Sequence, residues 1–244
     1  SIFITGATAG FGRAIALKFA QHHWSIIING RRTDRLRTLE EEIKNLGADV
    51  ISLPFDVRNE QQVMEAIENL PNKWKHIDAL VNNAGLAAGV NLIQDGKTIQ
   101  DGKTDDWNTM IDTNVKGLLY VTKNIIPLMI KQKSGHIINI GSIAGKDAYM
   151  KGNVYCATKY AVDALTKSMR IDLLEHGIKV SAVNPGAAET EFSLVRLKGD
   201  TEKANAVYKG FQPLVADDIA EIVYFVATRP AHFCCNASCT CLHK

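Results

Sequence analysis

Six short, mostly apolar runs alternate with amphipathic helical stretches along this chain, and that alternation constrains the fold more than any other feature. The runs at 2–5, 25–29, 49–54, 79–82, 136–140 and 179–183 are expected to be strands. Most are almost wholly apolar, as strands covered on both faces must be. Helices are expected at 12–22, 34–46, 61–70, 106–131, 154–176 and 216–228. In the second of these, Leu36, Leu39, Ile43 and Leu46 recur at spacings of three and four, which puts them on one face, and Gly47 stops the helix. The pattern predicts an α/β chain, a doubly wound Rossmann-type domain whose parallel sheet is flanked by helices, with its site at the carboxyl ends of the strands. Nothing divides the sequence, so residues 1–244 are expected to form one domain.

Bulk properties exclude several classes. The formal net charge is +2 and no long Lys/Arg stripe occurs, which argues against nucleic-acid binding. No apolar run reaches the roughly 18 residues that cross a bilayer, so no membrane association is expected. The first residues already read as a strand, with no secretory leader before them, and a cytoplasmic location is the expectation. Cys156 stands alone, whereas Cys234, Cys235, Cys239 and Cys241 crowd near the end. That crowd lacks the two separated pairs a zinc site needs, so no metal is expected. Asn236-Ala237-Ser238 matches a glycosylation acceptor by chance. Residues 93–98 read IQDGKT and residues 99–104 repeat them; two copies are too few for a solenoid and fit a duplication in a surface loop.

Thr5-Gly6-Ala7-Thr8-Ala9-Gly10-Phe11-Gly12 follows the first strand and opens the first helix. Gly6, Gly10 and Gly12 remove side chains where a backbone must turn sharply and approach a pyrophosphate, and the helix start behind them offers free N–H groups. Thr8 and Phe11 lie in the same turn. The second strand indicates the cofactor. An NAD enzyme usually ends that strand with an acid that holds the ribose hydroxyls. Here it ends Asn29-Gly30-Arg31-Arg32, with no acid at the strand's end, and two guanidiniums suit a 2′-phosphate. Arg13 is placed to add to that pocket, and NADP(H) is the expected cofactor. Asp56-Val57, after the third strand, is expected at the adenine, Asp56 through its carboxylate. Asn83, Ala84 and Gly85, after the fourth, are expected beside the cofactor.

Tyr155-Cys156-Ala157-Thr158-Lys159 carries the chemistry. Tyr155 and Lys159, four apart on a helix, share a face. A tyrosine has a reference pKa near 10, and a neighbouring ammonium favours the phenolate, which makes the phenol useful as acid or base. Ser142 lies thirteen residues before Tyr155, just past a strand, where it can donate to a substrate oxygen as charge builds there.

With these residues in view, the chain resembles the short-chain dehydrogenase/reductase family from about residue 2 to about residue 232, through the Thr5-to-Gly12 loop, Asn82-Asn83-Ala84-Gly85, Asn114, Ser142, Tyr155, Lys159 and Pro185-Gly186. The resemblance implies that Tyr155 is the acid/base, that Lys159 also binds the nicotinamide ribose, and that Ser142 orients the carbonyl. It further implies that Asn114 holds a proton-relaying water, that Pro185 and Gly186 border the cofactor, and that the protein is a homotetramer. Gly152-Asn153-Val154-Tyr155 and the stretch from Thr190 to Asp200 are similar to the NADP-dependent 3-hydroxy acid dehydrogenases, which act on serine, allo-threonine and related acids. That implies a substrate loop at about 190–212, with Arg196 clamping the carboxylate and Lys198 equally available. A broad-specificity NADPH-dependent carbonyl reductase is the alternative. A non-catalytic NADP(H) sensor is the remote one, since such proteins tend to lose the Tyr or Lys that are both present here. Two features depart from the family. Relatives usually end in a last core strand and an apolar, proline-containing tail, whereas residues 233–244 form a cysteine-rich, atypical tail. Lys151 stands where relatives tend to have a small residue; it either narrows the substrate entrance or points into water.

Overall fold

A computed structural model describes residues 1–88, 98–189, 212–233 and, as backbone, 237–239. The expected alternation is present. β1 (Ile2–Ile4), β2 (Ile26–Gly30), β3 (Val50–Pro54), β4 (Ala79–Asn82), β5 (Gly135–Ile140) and β6 (Ile178–Pro185) are joined by α1 (Gly10–Gln21), α2 (Thr33–Asn45), α3 (Glu60–Glu68), α4 (Thr104–Ile111), α5 (Leu118–Gln132) and α6 (Asn153–Asp172). Two-residue strands β7 (Ala188–Glu189) and β8 (Leu214–Val215) pair in parallel, and α7 (Ala216–Ala227) follows. The main sheet runs β3-β2-β1-β4-β5-β6-β9, all parallel, with β9 (Ala237–Cys239) on its edge. The chain leaves β1 toward β2 and β3 and later returns to β1's other side with β4. That reversal opens a crevice at the carboxyl ends of β1 and β4.

The strands carry two cores because successive side chains point to opposite faces. Ile2, Ile4, Ile26, Ile28 and Val81 pack with Phe19 of α1, Leu36 and Ile43 of α2 and Val223 of α7. Phe3, Ile27 and Leu80 pack on the other face with Val63 of α3, Val121 and Ile125 of α5 and Val162 of α6. A strand without a polar face is thus explained by helices on both sides.

Four expectations need correction. Leu46 does not join Leu36, Leu39 and Ile43 in the core; it caps α2 half-exposed. The single long helix expected at 106–131 is divided, because Asp112–Gly117 forms a π-helical turn between α4 and α5. α6 stops at Asp172 rather than reaching residue 176, with a 3-10 turn over Leu174–His176 before Gly177 turns the chain into β6. The cysteine-rich tail also adds a strand, since Val183, Asn184 and Pro185 of β6 pair with Ala237, Ser238 and Cys239. Of the repeated hexapeptide, residues 93–97 lie outside the described residues, and the second copy contributes a 3-10 turn at Ile99–Asp101. Among the described residues no helix is long and apolar enough to cross a membrane, and no three metal-ligating side chains gather.

Candidate active site

The glycine-rich turn lies in the crevice, between the ends of β1 and β4. Gly6 takes φ +64°, a left-handed conformation that side chains disfavour, and a Cβ there would lie 2.9 Å from the Ala84 Cα. A Cβ on Gly12 would meet the Gly6 carbonyl oxygen at 2.4 Å, so the first turn of α1 sits directly on the loop. The residue before α1, Ala9, is extended and offers no side-chain cap to the helix's first N–H groups. An open helix N-terminus behind a side-chain-free turn is a cradle for a pyrophosphate.

Residues after β4 hold that cradle in place. Thr5 Oγ1 accepts from the Asn83 and Ala84 amides, both at 3.0 Å, while Asn83 Nδ2 donates to the carbonyls of Thr5 at 2.9 Å and Gly6 at 3.1 Å. The Asn83 amide, expected beside the cofactor, is therefore engaged in clasping the two loops. Phe11 packs on the core from α1. At the end of β2, Arg32 Nη2 donates to Thr8 Oγ1 at 3.0 Å, so one expected guanidinium lies against the glycine-rich turn. Arg31 is exposed, and its Nη1 stands 3.8 Å from Asp56 Oδ2. An acid absent from the end of β2 is thus supplied by the loop after β3. Arg13, expected to join the pocket, turns instead to Glu42 of α2.

Asp56 is where the sequence puts it, at the end of β3, but its carboxylate is already engaged. Arg58 Nε lies 3.1 Å from Oδ1 and 3.0 Å from Oδ2, and Arg58 Nη2 lies 2.6 Å from Oδ2. Burial pushes the Asp56 carboxyl up, but the hydrogen bonds and charge of Arg58 outweigh it and hold the group below its ordinary value. Val57 is buried against Gly117, where a Cβ would press on it at 2.8 Å. The absent Gly117 side chain thus lets the π turn seat on the loop after β3.

The chemistry-bearing side chains come from the crevice's other wall. Lys159 on α6 is buried, and its Nζ donates to the Ile140 carbonyl, at the end of β5, at 2.9 Å. That bond leaves the Nζ 6.0 Å from the centre of the Tyr155 ring, which is buried as well. Burial lowers the Lys159 pKa to about 8, so the ammonium remains largely protonated at neutral pH. Asn114 sits in the π turn. Its Oδ1 accepts from the Leu86 amide at 2.8 Å, and its Nδ2 donates to the Leu86 carbonyl at 2.8 Å and to Thr158 Oγ1 at 3.0 Å. A Cβ on Gly85 would lie 3.3 Å from Asn114 Oδ1 and 3.7 Å from Lys159 Nζ, so Gly85 keeps the space between them open. Ser142, extended after β5, accepts from the Ala144 amide at 3.1 Å and donates to the Pro185 carbonyl at 3.4 Å. Gly186 follows at the same strand end.

Asn114, Gly85 and Lys159 therefore form one cluster, and Ser142 with Pro185 forms another on the adjacent strand ends. A family model for the short chain dehydrogenases matches residues 1–199.

The chain belongs to the short-chain dehydrogenase family.

As a short-chain dehydrogenase it is an oxidoreductase with a Rossmann-type sheet. It is 45% identical over 232 residues to the NADP-dependent 3-hydroxy acid dehydrogenase YdfG of Salmonella typhi, covering 95% of this chain and 90% of that one. It is 41% identical over 237 residues to the serine 3-dehydrogenase of Agrobacterium fabrum, covering 97% and 91%. Among solved structures it superposes on the closed form of serine dehydrogenase complexed with NADP+ with a TM-score of 0.89 at 42% identity, covering 98% of this chain and 93% of that chain.

Several parts of this short-chain dehydrogenase's site had no reading in sequence. Thr158 and the backbone of Leu86 fix Asn114, and the Ile140 carbonyl fixes Lys159. Backbone partners leave no residue-type signal. Arg58 did leave one, an Arg two residues after Asp56, but such a pair reads as an ordinary turn until β3 aims it at Arg31. Arg196 and Lys198 lie outside the described residues.

Proposed function

We propose that this enzyme transfers hydride between NADP(H) and a small 3-hydroxy acid of the serine, allo-threonine and 3-hydroxypropionate class, or its carbonyl counterpart. The observation that carries the reading is the buried Lys159, tied to Ile140 between Tyr155 and the space beside Gly85 and Asn114. The cradle fits a dinucleotide, since Gly6 and Gly12 leave room that a Cβ would fill and α1 begins uncapped. The relatives' dependence on NADP agrees with Arg31 and Arg32 at the end of β2.

The chemistry that a bound nicotinamide would supply is hydride acceptance from the substrate's carbinol carbon, or hydride donation to the carbonyl. In oxidation the Tyr155 phenolate takes the hydroxyl proton as the carbon–oxygen double bond forms, and in reduction the Tyr155 phenol supplies that proton. The Lys159 ammonium favours the phenolate electrostatically and reaches the ribose side of the crevice. Ser142 Oγ donates to the reacting oxygen, where negative charge is greatest in the transition state. Asn114 orients a water on the route from Lys159 to solvent. Gly10, Phe11, Thr8, Val57, Ala84, Pro185 and Gly186 line the cofactor's path, and Arg196, on the loop at about 190–212, binds the substrate carboxylate. Residues 1–244 form a single catalytic domain in this reading, assembled as a homotetramer.

The test is absorbance at the NADPH band with L-serine, allo-threonine and 3-hydroxypropionate, each with NADP and with NAD. Turnover of at least one acid, at least about tenfold faster with NADP, is expected. Silence on all three acids together with NADPH-dependent reduction of a neutral diketone would replace this reading by the broad carbonyl reductase. Cofactor binding without turnover of either class would leave a sensor.

A further inference from the structure

The corner that selects the cofactor holds a charge opposed to its selection. A 2′-phosphate at the end of β2 needs cations, yet Asp56 Oδ2 stands 3.8 Å from Arg31 Nη1. A carboxylate so close to Arg31 repels a phosphate bound there. Left to itself, Asp56 would also draw Arg31 into a close pair and withhold its guanidinium.

Arg58 prevents both. Its side chain donates to both carboxylate oxygens, and its backbone amide donates to Oδ1 at 3.0 Å. Four donor contacts over two oxygens use the lone pairs that Arg31 or a ribose hydroxyl would seek. The turn behind the pair is fixed as well. The Asn59 amide donates to the Asp56 carbonyl at 3.0 Å, and the Asp56 amide donates to Gln62 Oε1 at 3.2 Å. Asp112, a second acid whose charge acts on Arg58, is 2.8 Å from Lys116 and so carries its own partner. With Arg31, Arg32 and Arg58 against Asp56, the corner offers surplus positive charge to a phosphate carrying roughly −1.5 to −2.

We propose that Arg58 is a positioning residue for cofactor choice, holding and neutralising Asp56 so that Arg31 is free to bind the 2′-phosphate. The proposal rests on the NADP(H) reading above. It differs from the expectation that Asp56 serves the adenine through its carboxylate, since in this arrangement the carboxylate is occupied by Arg58. The pair borders an open cavity of about 650 Å³, and the Arg58 side chain is 37% exposed, so removing it disturbs no core packing.

Dissociation constants for NADPH and NADH, read by the quenching of protein fluorescence, test the proposal in four proteins: the unaltered enzyme, Arg58→Met, Arg58→Lys and the double variant Arg58→Met with Asp56→Asn. Arg58→Met should weaken NADPH about tenfold and NADH less than about twofold, a loss of about one decade of discrimination. Arg58→Lys keeps a cation beside Asp56 and should lose no more than about threefold. The double variant removes the acid that Arg58 controls and should recover discrimination to within about threefold of the unaltered enzyme. Unchanged discrimination in Arg58→Met, or no recovery in the double variant, overturns the positioning role; the latter would mean that Arg58 touches the phosphate itself. If the unaltered enzyme binds both cofactors equally, the NADP(H) reading itself has failed, an outcome distinct from either of these.

Discussion

The two walls of the crevice are built from different materials. The nucleotide wall is a matter of backbone shape: Gly6 in a left-handed conformation, Gly12 against the Gly6 carbonyl, and a helix start that no side chain caps. Its charged groups stand toward solvent, where ion pairs are weak and exchangeable. The opposite wall is a matter of buried polar side chains. Lys159, Tyr155, Asn114 and Thr158 are all under a tenth exposed, and Lys159, Asn114 and Thr158 are tied to backbone carbonyls. Binding a phosphate needs donors in a fixed outline, which glycine and backbone N–H groups provide. Moving a proton needs side chains whose charge is adjusted by burial, which a helix packed on strand ends provides.

The contrast predicts opposite losses from small changes to the two walls, and this is the largest effect expected. Tyr155→Phe removes only the phenolic oxygen. Turnover should fall about a thousandfold, within the usual range for a lost acid/base group, while the NADPH dissociation constant moves less than about threefold. Gly12→Ala adds one carbon where the Gly6 carbonyl oxygen would lie at 2.4 Å, so the loop must shift. Overpacking of this kind costs about 1–3 kcal/mol, and the NADPH dissociation constant should rise about ten- to hundredfold. At saturating cofactor, kcat should stay within about fivefold. Isothermal titration with steady-state kinetics reads both. If each variant lost binding and turnover alike, the two walls would not be separable.

The same contrast explains what the sequence could reveal. Six strands lie within about two residues of their expected positions, because burial on both faces left each as an apolar run. β9 carries no such run. It joins the sheet through backbone pairing with Val183, Asn184 and Pro185, and backbone pairing is blind to residue type. The glycine-rich turn, Tyr155 and Lys159 were legible because their chemistry demands particular residue types at a particular spacing. The π turn at Asp112–Gly117 was not, since an apolar periodicity running from α4 into α5 reads as one helix. That turn aims Asn114 at Gly85, so the residue looks like an ordinary helix polar group until the backbone is known. Pairings between strand ends, such as that of Arg31 after β2 with Asp56 after β3, depend on sheet order and have no local sign.

His136 limits the equation of buried polar groups with chemistry. It lies near the start of β5, at the end of the sheet away from the crevice, with Nε2 2.9 Å from Ser181 Oγ. Its Nδ1 is buried without a hydrogen-bond partner among the described residues. Burial, and next the charge of Lys179, lower its pKa from 6.5 to about 3. Between those values the unfolded chain binds a proton that the folded protein does not. Stability therefore rises with pH across that window and falls as pH drops below about 6.5, by up to about 1.4 kcal/mol per unit. Urea midpoints at pH 7 and pH 5 should show this slope in the unaltered protein. His136→Gln, which cannot titrate, should flatten it while leaving turnover at pH 7.5 within about twofold. An unchanged slope would mean that other groups carry the acid sensitivity. A loss of turnover would place part of the catalytic machinery at the wrong end of the sheet.

Backbone strain gives the smallest effect and the finest test. Among the described residues, three that are not glycine have positive φ: His23, Lys133 and Lys151. The first two end helices, where a left-handed residue closes the last turn, His23 donating to the Ala20 carbonyl and Lys133 capping α5. Lys151 ends no helix. It is the third residue of a turn closed by the Gly152 amide on the Tyr149 carbonyl at 3.0 Å, a place that favours glycine when φ is +65°. Lys151→Gly should relieve about 1–2 kcal/mol of strain and give back about half of it through the freer unfolded chain. The melting temperature should rise by about 1–4 °C, measured by calorimetry. On the nucleotide wall, left-handed positions carry glycine and strain is avoided; four residues before Tyr155 it is retained. A rise in melting temperature would show that this strain is real. A fall would show that the lysine side chain contributes more to the folded state than its backbone costs.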